Sequence, residues 1–121
     1  MEKKKILIVD DDARNIFALT ATLKAKSFDC LSCQGAAEAL RLLESDTQID
    51  AVLMDMMMPD MDGYEAIPLI KQIPGRAGTP VIAVTAQAMV GDREKCLAAG
   101  ADGYISKPVD VDKLLLILST I

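Results

Sequence analysis

Short apolar runs recur along this chain at strand length, and they lack the alternation of a half-exposed strand. Ile6–Val9, Ala51–Met54 and Val81–Val84 are apolar at every position, Leu31–Cys33 is a weaker run, and Tyr104–Ile105 is a short one. A strand that is apolar on both faces must be covered on both, as a parallel strand is when it lies between two helical layers. Helical patterns follow the runs: Ala13–Lys26, with Ile16, Phe17, Thr20 and Leu23 expected on the inward stripe, then Ala36–Ser45, Tyr64–Ile73, Ala88–Ala99, and from Asp110 onward. Five strand–helix units in 121 residues predict an α/β, doubly wound, five-stranded parallel sheet with right-handed crossovers. Gly35, Gly63, Gly100 and the Pro74–Pro80 loop fall at element boundaries. Pro68 lies inside the third helical pattern and has no N–H for the carbonyl of Tyr64, which predicts a local distortion and not a lost helix. No repeat, linker or low-complexity tract interrupts the series, so residues 1–121 read as one domain.

Composition narrows the chemistry. The chain has 18 Asp+Glu against 13 Lys+Arg, a net charge of -5 that repels polyanions, so direct nucleic-acid binding is not expected. Aromatic residues make up 3%, with no Trp, which leaves little material for base-stacking platforms. With no His, the chain alone cannot build a catalytic triad, an imidazole base, a His-ligated zinc site or a phosphohistidine. The apolar run after Lys3–Lys5 ends at Asp10, too soon for a signal peptide or a membrane span, and a cytoplasmic protein with no membrane partner is expected. The odd cysteine number agrees with reduced thiols. Cys30 and Cys33 form a C-x-x-C, but on a strand the two would face opposite ways, so buried thiols are expected and not a redox pair.

In open parallel sheets ligands bind beyond the carboxyl ends of the strands. The residues there are Asp10, Asp11 and Asp12 after the first run, Asp55 after the third, Thr85 after the fourth, and Ser106 and Lys107 after the fifth. Asp55 interrupts Ala51–Met54 and Met56–Met58, where an unpaired charge would cost several kcal/mol. Alone, it reads as a helix cap or a carboxylate on a turn, and Asp10–Asp12 read as a solvated acidic loop. Together in one crevice they demand a cation, because two carboxylates near 4 Å repel by about 4 kcal/mol at an effective dielectric of 20. Few hard oxygen ligands favour Mg²⁺, which keeps waters and shares its shell with a phosphate. A carboxylate beside a divalent ion, a lysine and a hydroxyl can accept a phosphoryl group, since those groups neutralise its oxygens during transfer.

These segments resemble the receiver domains of response regulators, the phospho-accepting modules of two-component signalling. The likeness is carried by Ile8-Val9-Asp10-Asp11, Leu53-Met54-Asp55-Met56-Met57-Met58-Pro59, Asp62-Gly63, Val84-Thr85-Ala86 and Ala99-Gly100-Ala101-Asp102-Gly103-Tyr104-Ile105-Ser106-Lys107-Pro108, and it covers nearly the whole chain. It implies a flavodoxin-like fold of strand order 2-1-3-4-5 and a cis Lys107–Pro108 bond. It implies further that Asp55 is the phosphorylated residue, taking its phosphoryl group from a histidine kinase or a histidine phosphotransfer protein. Asp11 and the Met57 backbone carbonyl would join Asp55 as Mg²⁺ ligands, with Asp10 acting mainly through water. Lys107 and Thr85 would hold the phosphoryl group. Tyr104 would turn inward and alter the surface of helix 4, strand 5 and helix 5. Met57 and Gln87, which would flank the path of attacking water, would set the lifetime of the phosphorylated state. Asp12 and Arg14-Asn15 resemble receivers attached to hybrid histidine kinases.

Other readings fit less well. An aspartate-nucleophile phosphatase of the haloacid-dehalogenase kind needs a second acid two residues after the nucleophile, where this chain has Met57. A flavin-binding module needs Ser, Thr or Gly after the first strand, and Asp10-Asp11-Asp12 repels phosphate without a metal. A pseudo-receiver would lack an acid or the lysine, and none is missing. Met54 and Met56–Met58 read as packing, since thioethers do not suit Mg²⁺. Asp60–Gly63 reads as turn and helix cap and not as a calcium loop, whose later ligands are absent. Leu114–Leu118 reads as a core helix with a spare apolar face.

Overall fold

The computed structural model describes residues 3–45, 48–86 and 91–120. Strands β1 (Lys5–Val9), β2 (Asp29–Cys33), β3 (Ala51–Asp55), β4 (Val81–Thr85) and β5 (Gly103–Ser106) alternate with helices α1 (Ala13–Ala25), α2 (Ala36–Glu44), α3 (Gly63–Gln72), α4 (Asp92–Ala98) and α5 (Val111–Leu118). All neighbouring strands are parallel, in the order β2-β1-β3-β4-β5. This is the doubly wound parallel sheet expected from the apolar runs, in the flavodoxin-like strand order that the resemblance to receivers implies.

Alternate strand residues serve opposite faces. On one face Leu7, Val9, Val52, Met54, Val81 and Ala83 pack against α2, α3 and α4 through residues such as Leu43, Ile67 and Cys96. On the other, Ile6, Ile8, Leu53, Ile82 and Val84 meet Leu19 and Leu23 of α1 and Leu114 and Leu118 of α5. Each such aliphatic side chain contributes about 1.5–3 kcal/mol when fully buried, which is why β1, β3 and β4 carry no polar alternation. Edge strand β2 is only partly covered and its run is correspondingly weak. Cys33 joins the first core and Cys30 packs against the second, so the two thiols lie on opposite faces, as strand geometry requires.

Three local features differ from the sequence reading or sharpen it. In α1 the inward stripe runs through Ile16, Leu19 and Leu23, while Phe17 is 77% exposed. Positions three and four apart share a helix face, and Phe17 lies one position, about 100°, round from Ile16. Helix α3 persists through Pro68, which is half-buried and leaves the Tyr64 carbonyl without that N–H. The described part of the fourth helix starts at Asp92, after Gly91 in left-handed backbone at φ +89°. Residues 88–90 of that expected helix lie outside the described residues.

Glycine is required where α3 begins. A Cβ on Gly63 would run into the Met56 thioether and come within 2.9 Å of the Met56 Cα. The close approach folds the β3–α3 loop back over the end of β3, with Asp60 in left-handed backbone at φ +69° and the Asp62 carboxylate accepting from the Glu65 N–H at 3.0 Å. Asp60–Gly63 is thus a turn and cap.

Candidate functional site

The carboxyl ends of β1, β3, β4 and β5 converge on one acidic crevice. Asp10 extends the β1 ladder, its N–H donating to the Cys33 carbonyl at 3.2 Å. Asp11 follows, exposed, and Asp12 turns away to cap α1 by accepting from the Arg14 N–H at 2.9 Å. Of the three consecutive acids, two face the crevice and the third is occupied in helix capping. Asp55 closes β3 at 3% exposure, and Asp10 is 2% exposed. Carboxylate oxygens of Asp10, Asp11 and Asp55 all lie within 4.8 Å of one another.

Lys107 is the cation that enters this group. Its N–H donates to the Thr85 carbonyl at 2.7 Å, tying the end of β5 to β4, and the Lys107–Pro108 peptide is cis. The ammonium Nζ stands 3.3 Å from Asp10 Oδ2 and 3.3 Å from Asp55 Oδ2. Asp55 Oδ1 accepts from the Met57 N–H at 3.0 Å, so its two oxygens have different partners. Asp10 Oδ1 accepts from the Asp12 N–H at 2.8 Å. Burial pushes Asp55 above the usual carboxylate range, reinforced by the Asp10 charge, while the Met57 N–H and Lys107 pull the other way. Burial works to lower the Lys107 ammonium, but Asp55 and Asp10 outweigh it and hold it above lysine's ordinary value.

Among the described residues three acids gather beside one ammonium, which pairs with two of them, so negative charge is in excess. The donor set is hard, all oxygen and few in number, which fits Mg²⁺ and does not fit a soft thiophilic ion.

Thr85 ends β4 at 1% exposure, in register with Ser106. Tyr104 is half-buried on β5, and its hydroxyl donates to Asp92 Oδ2 at 3.3 Å. Met57 is 52% exposed beside Asp55. Gln87 lies outside the described residues. The structure therefore brings together Asp10, Asp11, Asp55 and Lys107 around the Met57 turn, with Thr85 on the neighbouring strand end. Sequence reasoning missed Asp92, a buried acid at the start of α4 that anchors Tyr104. Its one local signal is a charged residue inside an otherwise amphipathic helical pattern, which does not reveal a partner on another element.

A doubly wound sheet of order 2-1-3-4-5 with its acids and lysine gathered at the strand ends defines the CheY-like class of flavodoxin-like folds. The model of the response regulator receiver domain matches residues 6–119, and the chain belongs to that family, the receivers of two-component signalling. It is 39% identical over 109 residues to the signal transduction histidine-protein kinase BarA of Escherichia coli K12, covering 90% of this chain and 12% of that protein. It is 38% identical over 109 residues to the sensor histidine kinase RcsC of Salmonella typhi, covering 90% of this chain and 11% of that protein. The chain thus spans only 11–12% of the length of these kinases. Among solved structures, the receiver domain of sensor histidine kinase PA1611 from Pseudomonas aeruginosa PAO1, with a magnesium ion coordinated in its active site cleft, superposes with a TM-score of 0.89 at 34% identity, covering 98% of this chain and 97% of that one.

Proposed function

We propose that residues 1–121 act as one receiver domain in which Asp55 accepts a phosphoryl group from the phosphohistidine of a histidine kinase or histidine phosphotransfer protein. The observation that carries this reading is the Lys107 ammonium 3.3 Å from Oδ2 of both Asp10 and Asp55, beside a third acid, at the end of a buried strand. An Asp55 oxygen attacks phosphorus in line with the P–N bond of the donor. The new O–P bond forms as the P–N electron pair leaves on the donor imidazole. Lys107 follows the charge from the carboxylate onto a phosphoryl oxygen, and the Thr85 hydroxyl donates to a second. The Met57 N–H, already on Asp55 Oδ1, fixes the carboxylate plane so that the other oxygen is presented. Asp11, Asp55 and the Met57 carbonyl would hold Mg²⁺, with Asp10 acting through water. The ion would supply the positive charge that the transferring phosphoryl oxygens need. The magnesium in the cleft of the PA1611 receiver supports this assignment.

Self-catalysed transfer and hydrolysis are the only chemistry in this reading, which gives the chain a signalling role and no external substrate. Phosphorylation draws Thr85 toward the phosphoryl group, Tyr104 follows inward, and the α4–β5–α5 face changes. We place the exchange in the cytoplasm, in keeping with three free cysteines, and without contact to nucleic acid or membrane. Among the described residues, no helix is long and apolar enough to cross a membrane.

Phosphoramidate, a small donor with the same P–N bond, tests the reading. With Mg²⁺ it should add one phosphoryl group per chain, chelation should stop the addition, and Asp55→Asn should abolish it because an amide lacks the nucleophilic charge. Undiminished incorporation in Asp55→Asn would defeat the proposal.

A further inference from the structure

Asp92 is an unusual acid. It is 7% exposed, it belongs to neither the crevice nor its lysine, and its two oxygens serve different elements. Oδ1 accepts from the Tyr64 hydroxyl at 2.9 Å, and Oδ2 accepts from the Tyr104 hydroxyl at 3.3 Å. Tyr64 stands in the first turn of α3, directly after the loop that carries Met57, whereas Tyr104 is on β5. One carboxylate therefore joins α3, α4 and β5. The Tyr64 end is the firmer: Cys96 Sγ lies 3.8 Å from its hydroxyl, and Lys95 Nζ sits 4.6 Å above its ring. The Asp92 charge is itself favourably placed in the first turn of α4, opposite the helix dipole. Gly91, in left-handed backbone, connects this turn to the segment after β4.

We propose that Asp92 is a positioning residue for the switch: a latch, shared with Tyr64, that retains Tyr104 in its present place and so opposes its turn away. The inference rests on the receiver reading above. Hydrogen bonds to a buried charge are stronger than neutral ones, so Tyr104 leaves only when the switched state offers more. Because Tyr64 stands at the start of α3, a shift of the β3–α3 loop on phosphorylation reaches Asp92 directly, in parallel with the pull through Thr85. The energetic consequence is a bias between two states, which a phosphoryl group or its mimic must overcome.

The chain contains two tyrosines, and both donate to this carboxylate, so 3-fluorotyrosine labelling gives two ¹⁹F resonances, one from each donor of the latch. Tyr64→Phe assigns them. Asp92→Asn keeps the shape but offers one acceptor oxygen where the carboxylate offered two. The closer Tyr64 should keep that oxygen, the Tyr104 resonance should move toward its position in the beryllofluoride-saturated protein, and half-saturation should need roughly tenfold less beryllofluoride. Adding Tyr64→Phe to Asp92→Asn should return the amide oxygen to Tyr104 and restore its resonance, a rescue that mere structural damage would not give. Should Asp92→Asn fold poorly, Tyr64→Phe alone decides. It leaves the whole carboxylate to Tyr104 and should raise the beryllofluoride requirement, and a fall would overturn the latch. An unmoved Tyr104 resonance in Asp92→Asn, or a shift that Tyr64→Phe does not reverse, would overturn it too. A wild-type spectrum indifferent to beryllofluoride would overturn the receiver reading beneath it. That failure differs visibly from one in which wild type responds and Asp92→Asn behaves like it.

Discussion

On the proposed reading, single side chains set how long a phosphoryl group stays on Asp55. Met57 is half-exposed beside that carboxylate, and a flexible thioether offers attacking water no useful hydrogen bond. Met57→Asn should supply one and open the path, raising the rate of loss several-fold, as followed by decay of the labelled protein with Mg²⁺ present. An unchanged or slower decay would remove the shielding role. Cys33 shows the same dependence of chemistry on surroundings. Burial pushes its thiol from an ordinary 9.0 up to about 11, so the unfolded chain releases this proton first as pH rises. The stability that the neutral thiol contributes is complete below pH 9 and is lost as pH climbs through about 11, at about 1 kcal/mol per pH unit in that window. Urea titrations between pH 8 and 11 should therefore show a shallower decline for Cys33→Ala than for wild type. These residue-level properties were only partly legible in the sequence. The facing of Cys30 and Cys33 follows from strand parity alone, whereas Tyr104 on β5 is partnered by an acid from helix α4, which no local spacing encodes.

Elements were easier to read than the faces they turn inward. The strands β1, β3 and β4 declare themselves because both their faces are buried, so burial leaves an unbroken apolar run. Helix α1 is ambiguous because Phe17 adds an apolar residue off the inward stripe, and one large exposed ring shifts the apparent face by a residue. Leu23→Ala should accordingly cost about 2–5 kcal/mol in denaturant unfolding, and Phe17→Ala should stay within about 0.5 kcal/mol of wild type. Comparable losses at both positions would contradict the assigned face. Gly63 belongs to the same scale. Its substitution by Ala must push the Met56 side chain or the start of α3 aside and should cost about 1–3 kcal/mol, with amide shifts centred on Met56–Met58, because a packed turn has no spare volume. In the fourth helix, Gly91 takes left-handed backbone at φ +89°, so a helix continuous from Ala88 to Ala99 is interrupted there, and the described helical backbone begins at Asp92.

At the scale of the molecule, topology turns scattered acids into a site. Asp10, Asp55 and Lys107 are far apart in sequence and meet because β1 and β3 are neighbours and the chain leaves β5 over the end of β4. That convergence was legible because strand ends in a parallel sheet share one edge, and the polar residues stop the apolar runs where the ligand-binding edge must be. The chemical exchange at that edge is the central claim, and an acyl phosphate can be trapped where it forms. Borohydride reduction of the protein after incubation with phosphoramidate and Mg²⁺ should convert Asp55, and no other acid, to homoserine, as located by peptide mapping. Homoserine at Asp10 or Asp11, or phosphate retained in acid-stable form with Asp55 intact, would contradict the account.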